Sequence, residues 1–168
     1  MTLAVALLCG GEFTRSGAPF NKCWQTVGDR PFMLHQLEWL DSQGHTTVVL
    51  CRGTEGTLTA LRRAAPFLGE RFLVCYGDTL LPIDLGVFCR EWRESRHLGI
   101  TAFRDGVDAG VSGCSRMALD AFSRHESDFG ELRDHFLGRR LWHRFVSPVP
   151  WVEVGSPGAT DHARMVLA

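Results

Sequence analysis

The sequence predicts one α/β domain over residues 1–168, in which helices cover a mainly parallel, mixed sheet. Apolar strand-like runs alternate with helix-like segments almost throughout, which is typical of strands connected by helices. A chain of 168 residues buries roughly 70% of the surface that its unfolded form exposes, enough for a core without disulfides or structural metals. No repeat, linker or low-complexity tract divides the chain. Parallel strands would place their C-terminal ends along one edge, where such sheets bind ligands.

The first half predicts four strands and three helices. Residues 3–8 form a continuous apolar run, which indicates a strand covered on both faces. Pro31 lies near the start of the first helix and Gly44 follows its end, while Asp84 is placed to cap the third helix. β-Branched residues indicate the second strand. The strands are expected at 3–8, 46–51, 72–76 and 98–103, and the helices at 31–41, 58–68 and 84–95.

The second half is less regular. Ser115 is placed to cap a short helix, and a further helix is expected over residues 128–137. The remaining segments predict strands at 110–114, 141–146 and 151–154, and a closing helix at 160–167.

Charge and hydropathy exclude some classes of protein. The 18 basic and 19 acidic residues give a net charge of -1, whereas a nucleic-acid-binding domain is usually basic. No stretch approaches the roughly 20 apolar residues needed to span a bilayer. The run LAVALLC lacks a preceding positive charge and is followed by GGEFTR, so we expect a buried strand there and not a signal peptide. These observations favour a cytoplasmic protein that binds neither nucleic acid nor membrane.

Six cysteines are present, without a CxxC pair or a His/Cys spacing typical of zinc sites. Most of them lie in or beside apolar strand-like runs, so we expect buried thiols in a reducing compartment, in preference to disulfides or zinc ligands. They are Cys9, Cys23, Cys51, Cys75, Cys89 and Cys114.

A glycine-rich segment, CGGEFTRSGAPFNK, follows the first predicted strand. Paired glycines let backbone N–H groups approach a phosphate, and Arg15 and Lys22 add positive charge. Lys22 is the only lysine among the 18 basic residues of the chain. The segment matches neither the P-loop nor the GxGxxG dinucleotide motif, and a simple tight turn is the favoured explanation of the glycines alone. The glycines together with Thr14, Arg15 and Lys22 are stronger evidence for a phosphate site.

Two carboxylates are predicted at strand ends. Asp78 follows the third strand in YGD, and Glu153 lies in WVEVGSP within a late apolar strand. Mg²⁺ binds hard oxygen ligands and commonly uses one or two carboxylates together with substrate phosphates. A turn-capping role is the alternative for Asp78. Together with the glycine-rich segment, the two carboxylates predict a Mg²⁺-nucleotide site.

Several ordered segments resemble the sugar-1-phosphate nucleotidyltransferase family, in particular its mannose- and heptose-1-phosphate guanylyltransferase branch, in a shortened form. This resemblance covers nearly the whole chain. It implies a Rossmann-like three-layer α/β fold and Mg²⁺-dependent transfer of NMP from an NTP to a sugar 1-phosphate, releasing pyrophosphate, with GTP slightly favoured. The segments are LLCGGEFTR, RPFMLHQLEWL, VVLC, EGTLTALRRAAPFLGERFLVCYGDTLLPIDL, DAGVS and WVEVGSP.

The resemblance also implies roles for individual residues. It implies that Arg15, Lys22, Asp78 and Glu153 are catalytic, with Asp78 and Glu153 as the metal ligands. The nucleotide-binding set it implies is Cys9, Gly10, Gly11, Thr14, Gly56, Thr57 and Gly77. The substrate-binding set it implies, near the sugar, is Asp108, Ala109 and Gly110.

The chain departs from the family pattern near the expected pocket. Leu58 and Thr59 replace two glycines, which would narrow the base pocket, and Phe13 and Asn21 replace a glycine and a proline. Two family segments are absent, one after residue 51 and one between residues 103 and 108. The alternative function is therefore a catalytically weak, shortened homologue that binds a nucleotide or NDP-sugar or supports a partner protein. A homo-oligomer would cover apolar surface exposed by the absent segments.

Overall fold

The computed structural model describes residues 2–10, 22–52, 55–122, 126–154 and 158–167. The strands are β1 Ala4–Leu8, β2 Thr26–Val27, β3 Arg30–Pro31, β4 Val48–Cys51, β5 Arg71–Tyr76, β6 Thr79–Leu80, β7 Gly99–Arg104, β8 Val107–Ser115, β9 Trp142–Val146 and β10 Val152–Glu153. The α-helices are α1 Phe32–Ser42, α2 Thr57–Ala64, α3 Leu85–Ser95, α4 Arg116–Ala121, α5 Phe129–Gly138 and α6 Ala159–Leu167. Short 3₁₀ helices cover Lys22–Trp24 and Ala65–Phe67.

Six of these strands form the main sheet in the order β4-β1-β5-β8-β7-β9. The pairs β1/β4, β1/β5 and β7/β9 are parallel, whereas β8 runs antiparallel to both of its neighbours. The sheet is therefore mixed and mostly parallel, as predicted. Because β8 is reversed, its beginning lies at the same edge as the C-terminal ends of β1, β4 and β5.

Helices cover both faces of this sheet. One face packs on α1 and α3 around a cluster that includes Leu7, Leu73 and Phe88, and the other packs on α2, α4 and α5 around Leu61 and Phe72. Fully burying a side chain of this kind contributes about 1.5–3 kcal/mol relative to leaving it exposed. The three-layer arrangement expected from the sequence is confirmed.

A third, smaller cluster joins the peripheral elements. β6 pairs with β10, and β2 pairs with β3, as two separate two-stranded sheets. Their apolar side chains pack with the start of α1 and with α6. The buried members are Val27, Phe32, Leu80, Val152, Val154 and Ala163.

The predicted helix starts agree closely with the structure. The side chains of Asp84, Ser115 and Asp128 each accept a hydrogen bond from a backbone N–H of the first helical turn. Such caps satisfy amide groups that have no partner within the helix. The local signals therefore place α3, α4 and α5 to within about one residue.

Some boundaries differ from prediction. The helix expected at 58–68 is α2 followed by a 3₁₀ turn that contains Pro66, whose ring nitrogen cannot donate the next helical hydrogen bond. β8 begins at Val107, three residues earlier than expected, directly after the tight turn at Asp105 and Gly106. The two-residue strands β2, β3 and β6 were not predicted because they are too short to show an alternating pattern.

All six cysteines lie within the described ranges, and none forms a disulfide. Five are buried and Cys89 is partly exposed, so the prediction of buried thiols is confirmed. Burial raises the pKa of Cys51 to about 11 and that of Cys75 to about 12. Among the helices that the structure describes, none is long and apolar enough to cross a membrane.

Candidate nucleotide and metal site

The turn that carries Asp78 lies against the end of β1. Gly77 and Asp78 form the link between β5 and β6, and the Gly77 N–H donates a 2.9 Å hydrogen bond to the Leu8 carbonyl. A Cβ atom at Gly77 would lie 2.8 Å from that carbonyl oxygen and 3.2 Å from the Cys9 sulfur. Only glycine fits this approach without displacing its neighbours. The YGD turn therefore meets β1 at the point where the glycine-rich segment begins.

Glu153 lies on the strand paired with this turn. β10 pairs antiparallel with β6, with Glu153 opposite Thr79, and the Val154 N–H donates a 2.9 Å bond to the Asp78 carbonyl. Val152 and Val154 are buried while Glu153 is half-buried, as expected when side chains alternate across a strand. Of the two predicted metal ligands, Asp78 therefore lies in the turn before β6 and Glu153 lies on the strand paired with β6.

Lys22 joins Asp78 from a third segment. It begins the 3₁₀ helix Lys22–Trp24, and its Nζ lies 3.2 Å from Asp78 Oδ2. The other oxygen of Asp78, Oδ1, accepts a 3.2 Å hydrogen bond from the Thr79 hydroxyl. About a quarter of each ion-pairing side chain is exposed, so solvent screens the pair and its own contribution to stability is small. The pair is informative because it joins the segment of Lys22 to the turn that carries Asp78.

The two predicted ligands, Asp78 and Glu153, suit a hard divalent cation whose remaining ligands are water and substrate oxygens. Within the described ranges, no group of three or more His, Cys, Asp or Glu side chains is arranged to hold a metal. A site with Asp78 and Glu153 alone suits Mg²⁺, which keeps several waters and takes further oxygens from substrate phosphates. A zinc site would require a fuller set of nitrogen and sulfur ligands.

The β4–α2 link carries Gly56 and Thr57. The Thr57 hydroxyl accepts a 2.8 Å bond from the Phe129 N–H, and the Leu58 N–H donates to the Ser127 carbonyl at 2.8 Å. The link is thereby attached to the segment that leads into α5. Leu58 is fully buried in the core cluster beneath α2, and the expectation that Leu58 and Thr59 narrow the base pocket stays a prediction.

Asp108 forms a buried ion pair at the beginning of β8. Its Oδ1 accepts a 2.8 Å hydrogen bond from the Gly110 N–H, and its Oδ2 pairs with Arg133 of α5. The two paired side chains are 16% and 14% exposed. Burial raises the pKa of Asp108, although the Gly110 N–H and Arg133 act in the opposite direction. The Arg133 guanidinium also lies over the Phe103 ring, 5.7 Å from its centroid.

Gly110 connects this region with the Asp78 turn. Its φ of +83° is rarely adopted by other residues, and a Cβ atom there would lie 2.7 Å from Thr79 Cγ2. Ala109, between Asp108 and Gly110, is fully buried. The predicted substrate-binding residues therefore lie in the first part of β8.

Cys9 and Cys23 are in contact at the end of β1. A hydrogen bond between the two thiols raises the pKa of Cys9 and lowers that of Cys23. The Cys9 N–H donates a 2.9 Å bond to the Cys51 carbonyl, and Gly10 is exposed beyond it. The predicted residues Gly11, Thr14 and Arg15 lie outside the described residues, as do Phe13 and Asn21.

The sequence analysis did not select two residues of this region, Arg133 and Gln36. Arg133 gives no sequence signal, because it lies in a helix with several charged residues. Gln36 does give one, since it occupies an apolar stripe of α1 one turn from Phe32 and one turn from Leu40.

The order and pairing of these elements are those of a nucleotidyltransferase-like, Rossmann-type α/β fold. HddC from Yersinia pseudotuberculosis, in a crystal structure complexed with GMP-PN, matches with a TM-score of 0.82 and 16% identity over 99% of this chain and 100% of that chain. A second crystal structure of the same protein gives a TM-score of 0.80, with the same identity and coverage.

A protein from Bacillus anthracis, assigned as a glucose-1-phosphate thymidylyltransferase and crystallised with a sucrose, gives a TM-score of 0.83 and 13% identity. That match covers 97% of this chain and 94% of the other. No protein-family model and no curated protein sequence matches the chain. At these identities the likeness establishes the fold.

Proposed function

We propose that the protein is a Mg²⁺-dependent sugar-1-phosphate nucleotidyltransferase that joins an NMP group to a sugar 1-phosphate and releases pyrophosphate. The observation that supports this proposal is the Lys22–Asp78 pair in the turn against the end of β1, with Glu153 on the strand that pairs with β6, which follows this turn. Asp78 follows the C-terminal end of β5, and open α/β sheets bind their ligands at the carboxyl ends of their strands. The GMP-PN bound to HddC supports GTP as the first nucleotide to test.

The proposed reaction is an in-line displacement at the α-phosphorus of the NTP. A phosphate oxygen of the sugar 1-phosphate forms the new P–O bond, while the bond between the α-phosphorus and the bridging oxygen breaks and leaves its electron pair on pyrophosphate. The attacking phosphate is already ionised at neutral pH, so no side chain has to remove a proton. The protein's contribution is to position the two substrates and to offset negative charge.

The acidic residues would bind the metal, and the basic residues would bind phosphate oxygens. Asp78 and Glu153 would hold Mg²⁺, which when bound neutralises phosphate charge and orients the phosphates. The Lys22 ammonium would pair with a phosphate oxygen of the NTP, and Arg15 would do so from the glycine-rich segment. Gly10 and Gly11 would leave backbone N–H groups open to phosphate oxygens. Asp108, Ala109 and Gly110 would lie on the sugar side, where Arg133 holds Asp108 in place.

The alternative is a homologue that binds a nucleotide or NDP-sugar without turnover. The replacement of one family glycine by Leu58 favours this alternative. The replacement of a glycine by Thr59 favours it as well.

One assay separates the two functions. The protein is incubated with Mg²⁺, each NTP in turn and a panel of sugar 1-phosphates, and pyrophosphate is measured. We expect release that is lost in Asp78→Ala and kept in Asp120→Ala, which removes an exposed carboxylate in α4. Nucleotide binding without release in any combination would support the alternative. A protein that neither binds a nucleotide nor releases pyrophosphate would contradict both functions.

A further inference from the structure

Gln36 is a buried amide in an otherwise apolar stripe of α1. It lies one helical turn from Phe32 and one turn from Leu40, and the three residues are 2%, 0% and 0% exposed, respectively. An amide buried in such a place destabilises the fold unless its polar atoms form hydrogen bonds. Its contacts therefore indicate why a polar residue is tolerated there.

Both hydrogen bonds of the Gln36 amide go to the turn that carries Asp78. Gln36 Nε2 donates to the Tyr76 carbonyl at 2.7 Å and to the Thr79 carbonyl at 2.6 Å. Tyr76 ends β5 and Thr79 begins β6, so the two acceptors flank Gly77 and Asp78 on either side. A single side chain thus bridges the two ends of the turn.

The bridge requires an amide nitrogen. Gln36 Oε1 is buried without a hydrogen-bond partner in the part of the chain that the structure describes. Reversing the amide would turn that oxygen toward two carbonyl oxygens, and a carboxylate would place negative charge against them. An NH₂ group at this position can therefore donate both hydrogen bonds, whereas an oxygen cannot.

The same helix also fixes the segment that carries Lys22. The Phe32 N–H at the start of α1 donates to the Gln25 carbonyl at 2.9 Å, and the Gln25 N–H donates to the Lys22 carbonyl at 3.1 Å. α1 thus contacts both segments whose side chains meet in the Lys22–Asp78 pair. Its N-terminus holds one segment, and Gln36 holds the other.

We propose that Gln36 is a positioning residue, which holds the Gly77–Asp78 turn so that the Asp78 carboxylate faces Lys22 and the metal site. The part of this inference that concerns metal rests on the proposed function, because it takes Asp78 as a metal ligand. Residues that orient a metal ligand typically change metal affinity or activity by about 10- to 100-fold when they are replaced.

The test compares Gln36→Met, which keeps the length of the side chain without its donors, with Gln43→Met. Gln43 is an exposed glutamine at the other end of α1, and its Oε1 accepts a 3.1 Å bond from the Leu85 N–H. Each substitution removes glutamine-to-backbone bonding, but only Gln36 contacts the Asp78 turn. Backbone amide NMR signals of Gly77 and Asp78 report the turn directly, and Mn²⁺ binding, followed by electron paramagnetic resonance, reports the carboxylates.

We expect Gln36→Met to shift both amide signals and to weaken Mn²⁺ binding by about 10-fold or more, whereas Gln43→Met leaves both unchanged. If Gln36→Met does not fold, Gln36→Asn, which keeps an amide but is too short to reach both carbonyls, is measured in its place. A folded Gln36 variant with wild-type Mn²⁺ affinity would overturn the positioning role, whether or not its signals shift. If the wild-type protein binds no Mn²⁺, the metal role of Asp78 fails with the proposed function. The Gly77 and Asp78 signals then decide whether Gln36 holds the turn.

Discussion

Lys22 pairs with Asp78 across 56 positions of sequence, with 3.2 Å between Nζ and Oδ2. The lysine begins a short 3₁₀ helix, and the aspartate lies in the turn between β5 and β6. Since 17 of the 18 basic residues are arginine, this position holds the only compact ammonium group of the chain. An ammonium and a guanidinium bind phosphate with different geometry, so the identity of this cation can be tested.

Replacing Lys22 should reduce pyrophosphate release in a graded way. Lys22→Met removes the charge, and we expect kcat to fall by about 100-fold or more, as when another electrostatic contact to the transition state is lost. Lys22→Arg keeps the charge but changes its shape, so an intermediate loss is expected. Arg164→Lys, at a partly exposed position in α6, is the matched control and should leave kcat unchanged. Full activity of Lys22→Met would exclude Lys22 from the reaction.

Gly110→Ala should destabilise the protein. The new Cβ would lie 2.7 Å from Thr79 Cγ2, and the residue would have to adopt a φ of +83°. Backbone strain of this kind costs about 1–3 kcal/mol, to which the close contact adds. Gly138→Ala is the control, since its Cβ meets nothing within 4 Å and its φ is not positive. Urea denaturation measures both, and equal free energies of unfolding for the two variants would contradict the expected strain.

Arg133→Met should destabilise the protein by leaving Asp108 buried without its cation. Removing one partner of a buried ion pair typically costs about 3–5 kcal/mol. The double variant Arg133→Met with Asp108→Asn should recover part of that loss, because it removes the uncompensated charge. The free energies of unfolding of the two single variants and the double variant form a cycle. Simple additivity in that cycle would mean that the two side chains do not interact energetically.

The pH dependence of stability should contain a contribution from Asp108. Its pKa is raised in the folded protein because the carboxyl group is buried. Protonation therefore favours the folded state, so this contribution is fully present below the unfolded pKa and is lost as the pH rises through the folded pKa.

We expect Asp108→Asn to reduce the loss of stability in the range just above the usual pKa of aspartate. Urea denaturation at a series of pH values measures this difference. Parallel profiles for the wild-type protein and the variant would show that Asp108 does not titrate differently on folding.

Local signals in the sequence predicted most of the fold. The caps at Asp84, Ser115 and Asp128 each need only a side chain and the amide groups two or three residues away, so they can be read from a short segment. The apolar runs predicted strands for a similar reason, since burial on both faces requires apolar residues throughout. The strand β6 was missed because two residues carry no periodicity, and although a strand was predicted at 151–154, its pairing with β6 joins distant chain segments.

The candidate site was predicted in part. Asp78 and Glu153 were selected because each is a polar residue placed at or near the end of an apolar run, and in the structure Asp78 lies in the turn before β6 and Glu153 on the strand paired with β6. The periodicity of the helix predicted Leu58 on its apolar side, and in the structure this side chain lies in the core. Arg133 was missed because its partner Asp108 is 25 residues away on another element.

The sequence by itself determined the α/β class, most of the helices and strands, the buried thiols and the charged residues on which the proposed function depends. These properties depend on composition, periodicity and contacts within a few residues. Only the tertiary structure decided that Lys22 meets Asp78, that Glu153 lies across from Thr79 and that Gln36 bridges the Asp78 turn. Each of these contacts joins segments far apart in the chain, and their distances are set by the packing of α1, β5 and β10 around shared cores.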